Sequence, residues 1–130
     1  MKAQTPTPER EPVPSGKQIP FYWKTTCHTC RAAKKSLEAQ AVPIEPIDIM
    51  KHPPSERTLR QLIGKYGARG MIRRNAKEYR TLHVGKMEMS DGALAKFLRN
   101  HPDVACRPIV IVRGQAFLSK DPEFARSPSA

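Results

Sequence analysis

Cysteine is scarce in this chain, with three in 130 residues. That excludes a disulfide scaffold and fits a reducing compartment. Long apolar runs are missing too. No stretch approaches the length of a membrane span, and no apolar signal-type region follows the first Met, so the chain is expected to be soluble and cytoplasmic. Acidic residues are few, twelve against twenty-three Lys and Arg, which leaves a formal charge of +11. Such a balance suits nucleic acid, an acidic partner or small oxyanions, and charge alone does not choose among them. No recognition helix and no aromatic–basic platform is evident, which makes direct DNA binding the least favoured of these. No internal repeat is visible. The length suits one domain with a real core.

Against these absences stands one concentrated motif, Cys27-His28-Thr29-Cys30. Before it runs Ile19-Pro20-Phe21-Tyr22-Trp23-Lys24, apolar and aromatic enough for a buried strand. After it, Arg31 to Ala41 is rich in helix formers. A CxxC between strand and helix is a redox arrangement. Cys27 would stand at the helix N-terminus, where unpaired backbone N–H groups and the helix dipole favour an anion. A thiolate is such an anion and is the reactive form. Cys30, one turn on, could resolve an adduct on Cys27 or form a disulfide with it. Zinc is the competing use of CxxC and needs two more ligands. Candidates are Cys106, His28, His52, His83 and His101, but none recurs as a second CxxC or as an HxxxH pair. Inert buried cysteines are the other alternative. Thiol chemistry, with no metal, is the reading taken.

Residues 1–18 hold four prolines and almost nothing apolar, and are expected to be a disordered tail. A domain over 19–122 follows, then a flexible tail over 123–130. Pro43-Ile44-Glu45-Pro46-Ile47-Asp48-Ile49 reads as a second strand, at an edge or bulged because of its prolines. Ser55 caps a helix with the stripe Leu59, Leu62, Ile63 and Tyr66, and Gly67 is its expected stop. Gly70 to Asn75 is expected to be helical with one face inward. Ser90-Asp91 opens a helix with Leu94, Phe97 and Leu98 inward, ended by His101-Pro102. Ile109-Val110-Ile111-Val112 reads as a fully buried strand, turning at Gly114-Gln115 into Ala116-Phe117-Leu118. Cys106, one residue before Arg107, could approach the active thiols or be a small core residue, and the second is the favoured expectation.

Four blocks carry a family resemblance: the cysteine after the first strand; Pro53-Pro54-Ser55 with Leu59; Met71-Ile72-Arg73-Arg74-Asn75; and His101-Pro102 followed by Arg107-Pro108-Ile109-Val110. In order and spacing the chain resembles the thioredoxin-fold arsenate reductase (ArsC) family, which also includes the Spx-type transcriptional regulators. The resemblance covers about Ile19 to Pro122. It implies an α/β, thioredoxin-like fold, a small mixed four-stranded sheet with helices and an inserted helical region between its halves. It implies that Cys27 is the nucleophile, that Arg73 and Arg107 bind the substrate oxyanion, and that Pro108 is cis and lies against the active cysteine. It further implies glutathione as co-substrate with no bound cofactor, and glutaredoxin or thioredoxin as electron donor.

The chemistry of the residues agrees. Arginine's fork of donors suits a tetrahedral oxyanion better than lysine's point charge. Arginines near Cys27 would also favour its thiolate. If both arginines lay on a helix they would point apart, leaving Arg74 in solvent. The chain departs from glutaredoxin-linked reductases in two places: Cys30 stands where they carry a hydroxyl residue, and Lys120 where they carry a third arginine. Cys30 could then release the product itself and leave a Cys27–Cys30 disulfide. Two functions are therefore expected in competition. One is an arsenate reductase-like enzyme with Cys27 and Cys30 catalytic and Arg73, Arg107, Pro108 and Lys120 on the substrate. The other is a Spx-type regulator whose disulfide state controls docking to RNA polymerase.

Overall fold

The computed structural model describes residues 18–126 and residue 128. The tail expected over 1–18 lies outside the described residues except for Gln18. Strand β1 (Ile19–Trp23) leads into helix α1 (His28–Ala39) and back into β2 (Ile44–Asp48), which pairs parallel to β1 from Ile19↔Ile44 to Trp23↔Asp48. Strands β3 (Ile109–Val112) and β4 (Gln115–Leu118) form the antiparallel hairpin, and β3 pairs antiparallel with β1. The sheet order is β2-β1-β3-β4. The proline-bearing β2 is at an edge, where its missing donor at Pro46 leaves no inner ladder broken. The all-β-branched β3 is central and buried.

Strand alternation sends side chains to two cores. Ile19, Phe21, Val110 and Phe117 meet Leu37 of α1 on one face. Tyr22, Ile109, Ile111, Ala116 and Leu118 meet the inserted helices on the other. Each fully buried Leu, Ile or Phe in these layers contributes about 1.5–3 kcal/mol from removal of apolar surface from water.

The inserted region is made of α2 (Glu56–Met71), α3 (Lys77–Thr81), a 3-10 turn at Val84–Lys86 and α4 (Asp91–Asn100). Ser55 Oγ accepts from the Thr58 N–H at 3.2 Å, and Ser90 Oγ from the Ala93 N–H at 3.2 Å, so both expected caps are present. Leu59, Leu62 and Ile63 of α2 are buried against Leu94 and Leu98 of α4. Gly67 does not end α2 but kinks it, at φ 81, ψ 163, after which the helix resumes to Met71. An L side chain there would be strained. Three side chains of α2 also cover the outer edge of β4. The Gln61 Oε1 accepts from the Ala116 N–H, Lys65 Nζ donates to the Ala116 carbonyl, and Tyr66 Oη accepts from the Leu118 N–H. An otherwise open edge is thereby closed to other strands.

Two further expectations need correction. The segment 70–75 is not one helix. After Met71 the chain is extended, with Ile72 bridged to Ala105, the Arg73 N–H donating to the Val104 carbonyl at 2.7 Å and the Cys106 N–H to the Met71 carbonyl at 2.9 Å. These cross-chain partners satisfy backbone groups that a helix would have paired internally. Over α3 and the 3-10 turn the sequence carries no apolar periodicity and no element is expected there; α3 has five residues and buries none of them. Finally, the flexible tail expected over 123–130 begins too early. Helix α5 (Pro122–Arg126) is held by Asp121, whose Oδ1 accepts from the Glu123 N–H at 2.8 Å, and by Phe124, 4% exposed and stacked with Phe117 at 6.4 Å.

Candidate active site

Cys27 is the N-cap of α1. Its backbone N–H donates to the Lys24 carbonyl at 2.9 Å, which fixes the loop after β1. Its sulfur accepts from the Cys30 N–H at 3.4 Å, standing where a cap oxygen would. Partial burial of that sulfur works against ionisation. The Cys30 N–H, the Cys30 thiol and the Arg107 guanidinium outweigh it and hold the Cys27 thiol below its ordinary range. Cys30 behaves oppositely. It is 0% exposed, and burial, reinforced by the neighbouring Cys27, pushes its thiol up to about 11. All three cysteines are free. The pair thus divides into a half-buried thiol whose pKa is lowered and a buried partner that stays protonated at neutral pH.

Four segments close a cavity of about 250 Å³ beside Cys27. The start of α1 gives Cys27 and Thr29, and the extended stretch after α2 gives Arg73 and Asn75. The approach to β3 gives Cys106, Arg107 and Pro108, and the end of β4 and its exit give Leu118, Ser119 and Lys120. The Arg107–Pro108 bond is cis. The wall therefore carries three cations, Arg73, Arg107 and Lys120, and no acidic side chain. All six residues singled out from the sequence except Cys30 line this cavity. Arg74 is exposed as expected, although it sits in a turn and not on a helix.

Cys106 departs from the favoured expectation and follows the other one, an approach to the active thiols. It packs against the core but is only half-buried, and it forms part of the cavity wall; burial raises its thiol pKa. Among the described residues no group of three or more His, Cys, Asp or Glu side chains is placed to hold a metal ion. No helix among them is long and apolar enough to cross a membrane.

Asp103 and Lys24, neither of them singled out from the sequence, hold the site from behind. Asp103 offers its carbonyl to both arginines, accepting from Arg73 Nη1 at 2.8 Å and from Arg107 Nη1 at 3.1 Å. Its carboxylate lies 2.9 Å from Lys24 Nζ, 3.5 Å from Arg107 and 3.6 Å from Arg73. Although partly buried, that carboxyl is held below its usual range, by Lys24 first and then by the two arginines. Arg107 is the most enclosed of the cations, its side chain 3% exposed, and its buried Nε has no hydrogen-bond partner among the described residues. The available signal was a lone acid inside a basic block, four residues before Arg107.

The model described as the ArsC family matches residues 22–126. The chain is 28% identical over 106 residues to the arsenate reductase of Neisseria meningitidis, covering 79% of this chain and 91% of that one. It is 32% identical over 95 residues to the uncharacterized protein YusI of Bacillus subtilis, covering 70% and 80%. Among solved structures, the arsenate reductase from Vibrio cholerae superposes with a TM-score of 0.68 at 29% identity, covering 84% of this chain and 95% of that one. The fold is thus the thioredoxin-like α/β fold of these proteins.

Proposed function

We propose, from the premise that this chain belongs to the ArsC family, that it is a cytoplasmic thiol-dependent oxidoreductase acting on arsenate or a similar oxyanion. The Cys27 thiolate attacks arsenic while the anion is held by Arg73, Arg107 and Lys120. An arsenate oxygen leaves as water, giving a Cys27–arsenic(V) adduct. A second thiol then attacks the Cys27 sulfur. The sulfur–arsenic bond breaks, its electron pair passes to arsenic, and arsenite departs as a disulfide forms. Glutathione supplies this thiol more readily than Cys30, which is buried and protonated. Cys30 can then displace glutathione, leaving a Cys27–Cys30 disulfide for glutaredoxin or thioredoxin to reduce. The electrons come from thiols throughout, so the reaction calls for no resident cofactor.

The observation carrying this reading is the placement of Arg107. Its guanidinium lowers the Cys27 pKa and, with Arg73 and Lys120, gives the cavity beside that sulfur a cationic wall with no acidic side chain. Purified protein should reduce arsenate with glutathione and glutaredoxin or with thioredoxin, and Cys27→Ser should abolish turnover. Equal activity in that variant would refute the reading. A second reading, a redox-switched regulator that docks on RNA polymerase, is motivated by the CxxC and the +11 charge. Polymerase pull-downs under oxidising and reducing conditions test it, and absence of binding in both would remove it.

A further inference from the structure

We propose that Asp103 is the positioning residue of the site, a single acid that ties the nucleophile's loop to both anion-binding arginines and so sets oxyanion affinity. The proposal rests on reading the cavity as an oxyanion site. Asp103 is not part of the cavity wall, so it does not touch the anion. It lies behind the two guanidinium groups and engages each twice, through the carbonyl and through the carboxylate. Through Lys24 it reaches further. The Lys24 ammonium donates to the Asp103 carboxylate at 2.9 Å, while the Lys24 carbonyl accepts the Cys27 N–H at 2.9 Å. One chain of contacts therefore runs from Cys27 through Lys24 and Asp103 to Arg73 and Arg107.

Lys24, Arg73 and Arg107 converge on one carboxylate. Without it they repel one another across a partly buried space, and the arginines lose the fixed rotamers that present their donors to the cavity. Each arginine would then have to be ordered again when the anion arrives, a cost that falls on binding. Asp103→Asn isolates this role, because it keeps the backbone carbonyl and the side-chain shape and removes only the charge.

The test reads anion binding apart from turnover. Inorganic phosphate, an unreactive tetrahedral anion, is titrated as a protector of Cys27 against iodoacetamide in the full chain, and arsenate reduction is measured in parallel. In Asp103→Asn the protecting phosphate concentration should rise about tenfold, as expected for two arginines no longer preorganised. The KM for arsenate should rise more than kcat falls, and Asp103→Glu should recover most of the loss. Lys24→Met, which cuts the link to the Cys27 loop while leaving Asp103 in place, should weaken protection in the same direction; it serves as the test should Asp103→Asn not fold. Unchanged protection in both variants overturns the proposal, as does a parent protein that phosphate does not protect. A parent that binds phosphate without reducing arsenate overturns the enzymatic reading, and the protection titration still decides the role of Asp103.

Discussion

Replacing Arg107 by methionine should remove most of the oxyanion affinity and part of the activation of Cys27. The side chain is 3% exposed and donates to the Asp103 carbonyl at 3.1 Å. Its Nε–H is buried without a partner. A hydrogen bond to a charged group is worth about 1.5–3 kcal/mol. The cavity is open to solvent on one side, so the lower half of that range applies, about 1.5–2.3 kcal/mol for one such bond, or roughly 10- to 45-fold in kcat/KM. The sign at the thiol is fixed as well. Arg107 favours the Cys27 thiolate, so its loss moves the midpoint of Cys27 alkylation to higher pH. Arg107→Lys restores the charge but not the planar fork, and should recover the alkylation profile more fully than the affinity. The assay is steady-state arsenate reduction paired with iodoacetamide rates across pH. A methionine variant within about threefold of the parent in kcat/KM would refute the reasoning.

The two thiols of the CxxC should separate under limited alkylation. Near neutral pH, mass spectrometry should find Cys27 modified first, since its pKa lies below the ordinary value while that of Cys30 is pushed up to about 11; prior labelling of Cys30 would contradict the assignment. Cys30→Ser should retain turnover with glutathione but lose the intramolecular disulfide on oxidation, and loss of turnover with glutathione would instead make Cys30 the resolving thiol. At the far end, Phe124→Ala should cost about 3 kcal/mol in urea unfolding by emptying the pocket against Phe117. A change below about 0.5 kcal/mol would show that α5 is not part of the folded unit.

Local signals announced much of this molecule. Strand β3 is unmistakable because four β-branched residues in a row suit only a strand buried on both faces. Helix α4 is written in Ser90 and in the spacing of Leu94 and Leu98. The kink at Gly67 was harder. Glycine marks a break in helical geometry but does not say whether the chain leaves or resumes. Phe124, read as part of a tail, is buried only because Phe117 and α1 present a surface to it.

The sequence alone placed a cysteine sulfur at the N-cap of a helix, because strand, cap and helix are neighbours along the chain and their signals are read over a few residues. It also singled out the arginines, though not what they share. That the extended stretch at Arg73, the acid at Asp103 and the end of β1 at Lys24 meet behind one sulfur was decided by the tertiary structure. These groups are separated by 30 to 79 positions, and no periodicity encodes which distant carboxylate a buried guanidinium will find. Only when the backbone of 71–73 pairs with 104–106 do the charges come close enough to act on one another.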